Sequence, residues 1–432
     1  MNVTLSATLA ANEDIERRRR AGERVLNLAF GEAGLPVHPA LRRRLVAASG
    51  SNGYGPVAGS PDLRAAAAGY WSRRGLPTDP DLVVSGPGSK SLLYGLLLAL
   101  GGDIVLPMPS WVSYAAQADL VGANPIMVPA PPGEGGAPDP ARVRSAVLHA
   151  RARGRTVGSL LLTLPDNPTG TLAAPETVRA LAELARELDL AIISDEIYRD
   201  LVHDPGTPFL SPAEVAPERT VITTGLSKSL ALGGWRIGVA RLPDGAHDLR
   251  TRLLAVASEI WSSPAAPVQE AAAYAFTEPA ELAERVTRSR RLHGTVARAV
   301  HARFRAAGAS VAMPRGGFYL YPDLGHLRER LGVGSSAEFA ALLLDRHGVG
   351  VLPGHAFGDD PAALRVRVAT SLLYGTTTEQ RLTALHAADP VALPWIAEAL
   401  DHLDEALDGL ATERHAVPAR RVPALVPTAA AS

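Results

Sequence analysis

Short apolar runs alternate with glycine-rich turns and amphipathic stretches, most regularly between residues 82 and 240. Apolar runs at 104–106 and 191–193 are typical of short buried strands. Between such runs, segments like 175–188 repeat apolar residues on one helical face. Strands that alternate with helices in this way form parallel sheets. The pattern therefore predicts an α/β fold with a mainly parallel sheet flanked by helices.

Polar and glycine-rich residues follow five of the predicted strands. They come directly after Val84, Leu106, Leu164, Ile193 and Thr223. The carboxyl ends of parallel strands lie at one edge of a sheet, where ligands bind in folds of this class. We therefore expect these residues to surround a single crevice.

The pattern changes after about residue 265, where the chain becomes helical and rich in alanine and arginine up to 306. A second α/β region follows, with predicted strands at 316–320 and 364–369 and helices continuing to about 410. The Pro-, Ala- and Arg-rich end, residues 411–432, is expected to be disordered.

Composition excludes several classes of protein. The chain is 47% hydrophobic and 20% charged with a net charge of −1, so binding to nucleic acid or to anionic lipid is not expected. The absence of cysteine excludes disulfides, thiolate metal sites and a cysteine nucleophile. No signal peptide or apolar run of membrane-spanning length is evident, which predicts a cytoplasmic protein. The run 17–20 of four arginines is interpreted as a solvated helix face.

Lysine is rare in this chain. The 43 lysine and arginine residues include only Lys90 and Lys228. Lys228 lies in an apolar, glycine-rich segment, and a lysine there can lose its proton and attack a carbonyl group, which a guanidinium cannot do. The alternative is compositional drift, because an arginine-biased chain keeps a few lysines at any position.

Three further features indicate chemistry, each with a simpler alternative. The turn before Ser89 opens a helix, whose free N–H groups suit phosphate, although it can equally be an ordinary loop. Asp195 follows a buried strand and needs a cationic or donating partner, unless it only caps a helix. Arg236 and Arg365 flank strands and offer planar forks for phosphate or carboxylate, whereas most arginines lie on the surface.

Taken in order, these residues resemble the motifs of the class I/II aminotransferases, which are pyridoxal-phosphate enzymes of fold type I. The resemblance extends over residues 25–371. The matching motifs are Gly31-Glu32; Tyr54 with Gly59 and Leu63-Arg64; Gly88-Ser89-Lys90; Trp111 with Tyr114; Asn167-Pro168-Thr169-Gly170; Asp195-Glu196-Ile197-Tyr198; Ser227-Lys228 with Gly234-Trp235-Arg236-Ile237-Gly238; and Arg365.

The resemblance implies a role for each residue that contacts the cofactor ring. Lys228 would hold the cofactor as an imine and then act as general base and acid. Asp195 would pair with the pyridinium nitrogen, so that the ring withdraws electrons. Asn167 and Tyr198 would hydrogen-bond the ring's phenolic oxygen, and Trp111 would stack on the ring face.

The resemblance also implies which residues hold the phosphate. Arg236 would do so with Gly88, Ser89, Ser227 and the amide of Lys90. Beyond that amide, Lys90 is expected to have a structural role at the helix terminus rather than a catalytic one.

The remaining implied contacts concern the substrate and a second subunit. Tyr54 would reach a phosphate across the interface of a homodimer. Arg365 would bind the substrate α-carboxylate as a bidentate pair, helped by Gly31 and Asn167. No metal ion is implied.

The resemblance further implies a division into two domains. Residues 1–52 and 286–410 would form a small α/β domain from both ends of the chain, and 53–285 a large cofactor-binding domain.

Two positions depart from the family pattern. Gly225 stands where many relatives have a phosphate-binding serine, and Arg367 stands where a small residue is usual.

We therefore predict a cytoplasmic, homodimeric aminotransferase that moves an amino group between an L-amino acid and a 2-oxo acid by a ping-pong mechanism. β-Elimination, cyclisation or another reaction of a Cα carbanion could use the same residues. A cofactor-sensing regulator is a more remote alternative, since it would need a DNA-binding module and only about 50 residues precede Tyr54.

Overall fold

The computed structural model describes residues 5–412. None of its helices is both long and apolar enough to cross a membrane. The helices are α1 (Ala7–Arg20), α2 (Pro39–Ala47), α3 (Pro61–Ser72), α4 (Ser89–Leu100), α5 (Val112–Leu120), α6 (Pro140–Ala152), α7 (Pro175–Glu187), α8 (Pro212–Val215), α9 (His247–Ile260), α10 (Ala266–Phe276), α11 (Ala280–Ala306), α12 (Arg328–Leu331), α13 (Ser336–His347), α14 (Thr378–His386) and α15 (Pro394–Thr412).

The strands belong to three sheets. They are β1 (Leu26–Asn27), β2 (Val83–Gly86), β3 (Asp103–Met108), β4 (Pro125–Pro129), β5 (Val157–Thr163), β6 (Ala191–Asp195), β7 (Thr220–Gly225), β8 (Gly238–Arg241), β9 (Tyr319–Leu320), β10 (Val349–Gly350), β11 (Leu352–Pro353) and β12 (Val366–Ala369).

The largest sheet has seven strands in the order β2-β8-β7-β6-β5-β3-β4. Strand β8 is antiparallel to both of its neighbours, and the remaining pairs are parallel. The prediction of a mainly parallel sheet flanked by helices is thus confirmed. Because β3, β5, β6 and β7 are parallel, their carboxyl ends lie at one edge of the sheet.

Helices cover both faces of this sheet. In β5, Leu160 and Leu162 face a cluster formed with α6 and α7, whereas Leu161 between them faces a cluster formed with α4, α5 and α9. Successive side chains of a strand point to opposite faces, so an unbroken apolar run is what a sheet covered on both sides requires.

Residues from both ends of the chain share another apolar core. It joins 26–35 to residues between 292 and 410, around the antiparallel sheet β11-β12-β9 and the parallel pair β1-β10. Two details differ from the predicted domain limits. Helix α2 lies within the segment predicted for the small domain, but it packs on α10, and its Leu41 lies in the core beside the large sheet. Helix α11 continues unbroken across the predicted limit between residues 285 and 286.

Two predicted boundaries also differ from the structure. The helical region after 265 is interrupted, since α10 ends at Phe276 and α11 begins after Pro279. At the other end, α15 continues to Thr412, two residues into the predicted tail. The rest of that tail, 413–432, lies outside the described residues.

Candidate active site

A cavity of about 550 Å³ opens at the carboxyl edge of the large sheet. The ends of β5 and β6 and the loops after β2, β3 and β7 contribute to it. Ten of the thirteen predicted site residues line this cavity, and Gly88, Tyr54 and Arg365 do not. The ten are Gly31, Ser89, Lys90, Trp111, Asn167, Asp195, Tyr198, Ser227, Lys228 and Arg236.

Asp195 is the last residue of β6 and is only 3% exposed. Its Oδ2 accepts a hydrogen bond of 2.8 Å from the Tyr114 hydroxyl, and its Oδ1 accepts one of 3.3 Å from the Ile197 amide. Burial raises the pKa of Asp195 to about 6, and the hydrogen bond from Tyr114 opposes that rise. No cation within residues 5–412 pairs with this carboxylate, so a cationic ligand group is the partner that its burial calls for.

Lys228 lies in the loop between β7 and β8. Its Nζ donates a hydrogen bond of 2.6 Å to the carbonyl oxygen of Gly31 and lies 5.8 Å from the centroid of the Tyr198 ring. A side chain at position 31 would collide with the hydroxyl of Tyr319, so glycine is required for the packing of Tyr319 against this segment. The contact joins the N-terminal segment to the large sheet at the reactive amine.

The Tyr198 hydroxyl shares a hydrogen bond of 2.8 Å with the hydroxyl of Tyr319, which in turn donates to Gly31 O at 3.4 Å. Burial raises the pKa of Tyr198 well above its usual value, so the phenol remains a proton donor at neutral pH. Tyr319 also lines the cavity but is not among the predicted site residues. The sequence presents it only as part of a predicted strand.

The N-terminus of α4 forms an anion cradle. Gly88 precedes the helix at φ +88° and provides no side-chain cap, so the first N–H groups of α4 are available to a ligand. A Cβ atom at Gly88 would lie 2.6 Å from Nη2 of Arg236, and one at Gly238 would lie 2.5 Å from the Ser89 amide. Arg236 itself is held by a hydrogen bond of 2.8 Å from Nη1 to Gly233 O. These glycines allow the arginine to approach the helix terminus.

Gly225 is explained by packing between strands. A Cβ atom there would lie 2.8 Å from Ile237 O, across the β7–β8 pair, so a serine would not fit without moving β8. Thr224 points away from the cavity and donates to Glu196 O at 3.4 Å. Ser227, by contrast, lines the cavity. Thr224 and Ser227 are the neighbouring residues whose hydroxyl could replace that of the missing serine, and the geometry favours Ser227.

Lys90 follows the cradle, and its side chain extends into the cavity. Its Nζ lies 5.1 Å from the centroid of the Trp111 ring. Burial, together with the positive charges of Arg236 and Lys228, lowers the pKa of Lys90. Lys90 and Lys228, the two lysines of the chain, thus both line this cavity.

Arg365 is held outside this cavity, contrary to the expected position of a substrate-binding arginine. Its Nε donates to Asp323 Oδ2 at 3.0 Å, and its Nη1 donates to Asp359 Oδ1 at 2.9 Å. Arg367 lines the cavity in its place. Tyr54 is 96% exposed and does not contact the cavity in the single chain.

The first turn of α1 was also missed by sequence reasoning. Ser6, Thr8 and Leu9 line the cavity, although the local pattern there indicates only an amphipathic helix. Nothing in the sequence near α1 signals this contact, because it depends on where the tertiary fold places α1 relative to residues that are distant in the sequence.

The donors and acceptors in the cavity fit pyridoxal phosphate. The α4 terminus and Arg236 suit its phosphate, the unpaired buried carboxylate of Asp195 suits its ring nitrogen, and Lys228 suits its aldehyde carbon. Gly88 and Gly238 allow the helix terminus, Arg236 and β8 to lie this close together, because a Cβ atom at either position would collide with Arg236 or with the backbone at Ser89. The residues present therefore match each polar group of this cofactor.

Comparison with known proteins agrees with this chemistry. Residues 23–376 match the family model for aminotransferases of class I and II. The aspartate aminotransferase of Geobacillus stearothermophilus is 32% identical over 392 residues, covering 88% of this chain and 96% of that protein. The aspartate/prephenate aminotransferase of Thermus thermophilus is 34% identical over 367 residues, covering 82% and 89%.

A solved structure has a similar fold. Aspartate aminotransferase from Thermus thermophilus with maleate superposes with a TM-score of 0.79 at 29% identity, covering 93% of this chain and 97% of that one. The predicted family, fold type and cofactor are confirmed by these matches. The chain belongs to the class I and II aminotransferases, and it is a pyridoxal-phosphate-dependent transaminase.

Proposed function

We propose that this cavity is the catalytic site, and that an L-amino acid and a 2-oxo acid use it in turn in a ping-pong reaction. The single observation that carries the proposal is the convergence of Lys228, Asp195 and the α4 anion cradle on one cavity. When bound, pyridoxal phosphate supplies a ring that withdraws electrons from the substrate α-carbon. The residues around it bind, orient and move protons.

Lys228 would hold the cofactor, and its Nζ would move the α-proton of the substrate. Gly31 O orients that amine, because it accepts the Nζ hydrogen bond. Asp195 keeps the ring nitrogen protonated, and Tyr114 positions its carboxylate. Tyr198 and Asn167 line the cavity and would donate hydrogen bonds to the phenolic oxygen of the cofactor, and Trp111 would pack against its ring. Ser89, Ser227 and Arg236 would hold the phosphate.

We further propose that the amino donor is an acidic amino acid. Lys90 lines the cavity, and no carboxylate within residues 5–412 pairs with it, so it is available to a second carboxylate on the substrate. The relatives named aspartate aminotransferase support the same substrate class. This is a role for the Lys90 side chain that the helix-terminal interpretation did not include.

We expect aspartate and glutamate to be the preferred donors, and Lys90→Met to lower kcat/KM for aspartate by roughly 10- to 100-fold. Losing one hydrogen bond between charged groups costs about 1.5–3 kcal/mol, and each 1.4 kcal/mol corresponds to about tenfold. The measurement is the 2-oxo acid formed from a panel of single amino acids, together with the aminated cofactor left on the enzyme.

Alanine is the control for this panel, because it has no second carboxylate and its kcat/KM should not respond to Lys90→Met. Equal losses for alanine and aspartate would contradict the proposed role of Lys90. Release of pyruvate from serine without amination of the cofactor would instead favour the β-elimination alternative over transamination.

The proposed assembly is a homodimer with shared active sites, in which Tyr54 binds the phosphate in its partner's cavity. The exposure of this large aromatic side chain in the single chain supports the idea. The cytoplasmic location remains a prediction.

A hybrid dimer tests the shared site. Tyr54→Ala should weaken cofactor binding and Lys228→Ala should abolish turnover, yet a hybrid of the two has one cavity with both native residues. After subunit exchange at equal concentrations, half of the dimers are hybrids with one intact site of two, so we expect about a quarter of wild-type activity. This arrangement would be excluded if the mixture were no more active than the two variants measured separately at the same concentrations and added together. A monomeric mass in solution would also exclude it.

A further inference from the structure

A second cavity, of about 360 Å³, lies between α11, the C-terminal end of α14 and the segment that leads into α2. Among the described residues, none lines both this cavity and the catalytic one. We propose that this second cavity binds the phosphate group of a small molecule, with Arg285 as the main ligand. Such a site is additional to the transaminase function of the chain.

Arg285 provides a buried positive charge without a counter-charge. The residue is 5% exposed, and its Nη2 donates a hydrogen bond of 2.8 Å to Pro36 O. Within residues 5–412 no carboxylate forms an ion pair with it, and burial lowers the pKa of its guanidinium to about 10. An unpaired buried charge is strongly unfavourable. Because Arg285 lines the cavity, an anion bound there can supply the missing charge as a bidentate pair.

Two histidines add hydrogen-bond donors to the lining. His38 caps α2, and its Nδ1 accepts a hydrogen bond of 3.3 Å from the Ala40 amide. Nδ1 of His386 contacts Nη1 of Arg288, which can only donate, so this nitrogen also accepts. When Nδ1 of a neutral imidazole accepts, the proton is on Nε2. Both rings therefore offer an Nε2–H donor to an anion.

Two glutamates also line the cavity, and each has a partner of its own. Glu284 forms an ion pair with Arg288, and Glu281 accepts a hydrogen bond from the Tyr274 hydroxyl. Both glutamates are exposed, whereas Arg285 is buried. Water compensates an exposed carboxylate, so the charge that needs a partner is the buried one on Arg285. An anion is therefore favoured over a cation.

The geometry of the lining fits a phosphate group better than a lone carboxylate. The donors come from α11, from α14 and from the residue before α2, and the tetrahedral oxygens of phosphate can accept from several directions at once. Helix α2 begins at Pro39, and the N-terminal end of a helix favours negative charge.

The cavity also has room for an organic group beside the phosphate. Its volume is about twelve times the roughly 30 Å³ that one water molecule takes up in the liquid. Part of the lining is apolar and consists of Pro36, Val37, Pro39, Leu382 and Leu385. Inorganic phosphate and a phosphate monoester therefore share the chemistry that this site recognises.

Inorganic phosphate and glycerol 3-phosphate are the probes that distinguish these two sources. Isothermal titration calorimetry of the enzyme loaded with pyridoxal phosphate, in a buffer without phosphate, should show one site per chain. Tighter binding of glycerol 3-phosphate would identify a monoester as the ligand, because the apolar lining then contacts the organic group. Equal or tighter binding of inorganic phosphate would identify the free ion. Either result supports the proposal.

Three variants locate the binding site. Arg285→Gln should weaken phosphate binding about 10-fold or more, because it removes the buried charge that pairs with the anion. Arg42→Gln is the matched control, since it removes an exposed arginine of α2 outside the cavity and should change the affinity less than about twofold. Lys90→Met removes a cation of the catalytic cavity and should leave the affinity for phosphate unchanged.

His38→Asn keeps the test decisive if Arg285→Gln fails to fold. Asparagine retains the cap of α2 but cannot replace the Nε2–H donor, so phosphate binding should weaken about threefold or more.

Three outcomes would overturn the proposal. The first is a wild-type enzyme that binds neither probe. The second is wild-type affinity in Arg285→Gln or, in its place, in His38→Asn. The third is loss of phosphate binding in Lys90→Met, which would place the anion in the catalytic cavity.

Discussion

Lys228→Ala is expected to lower kcat by at least about 10⁴-fold, since it removes both the covalent attachment of the cofactor and the group that moves the α-proton. Within residues 5–412, Lys228 is the lysine whose Nζ donates a hydrogen bond to Gly31 O. Turnover of the amino donor and the absorbance of the bound cofactor are the measurements. Both should be lost together.

The matched control is Lys90→Ala, because these are the two lysines of the chain and both line the cavity. Borohydride reduction of the loaded enzyme, followed by peptide mass mapping, should find the cofactor on Lys228 in the wild type and in Lys90→Ala. Attachment to Lys90, or an unchanged spectrum in Lys228→Ala, would contradict the proposed catalytic residue.

The second large effect is expected at Asp195. Asp195→Asn keeps the shape of the side chain but removes the charge that pairs with the ring nitrogen. Loss of one partner of a buried ion pair costs roughly 3–5 kcal/mol, so kcat should fall about 10³-fold. Asp195→Glu, which keeps the charge, should lose less. Similar losses in the two variants would show that geometry rather than charge matters here.

Asp195→Asn should increase the stability of the cofactor-free protein, although it lowers the activity of the loaded enzyme. Burial holds the pKa of Asp195 at about 6 rather than 3.8, so between these values the folded protein keeps a proton that the unfolded chain has released. Wild-type stability therefore falls as pH rises from about 4 to 6, and the loss persists above pH 6. Asp195→Asn lacks this penalty and should be more stable than the wild type by roughly 3 kcal/mol at pH 8, but not at pH 4.

Denaturant unfolding of the cofactor-free proteins at the two pH values measures this difference. If the stability gap between Asp195→Asn and the wild type does not widen from pH 4 to pH 8, burial does not raise the pKa of Asp195 as described above. The combination of lower activity with higher stability would indicate a residue kept for its function.

Much of the fold could be predicted because its signals are local. The apolar runs of β5 and β6 and the one-sided pattern of α7 directly reflect burial between helices and sheet. The break at Pro279 and the continuation of α15 to Thr412 were missed, since helix ends depend on packing as well as on propensity. The antiparallel direction of β8 likewise has no local signal.

The sequence by itself indicated the family and the cofactor, because its motifs resemble those of the class I/II aminotransferases. It also indicated that the reactive groups lie together, because Lys228, Asp195 and the Asn167 motif each follow a predicted strand and parallel strands end at one edge. Only the tertiary structure decided which side chains face the cavity. The pairing of β12 with β9, and the two carboxylates that hold Arg365, place Arg367 there. The motif resemblance indicates Arg365, and only the partners that the fold brings to residues 365 and 367 show which of the two side chains lines the cavity.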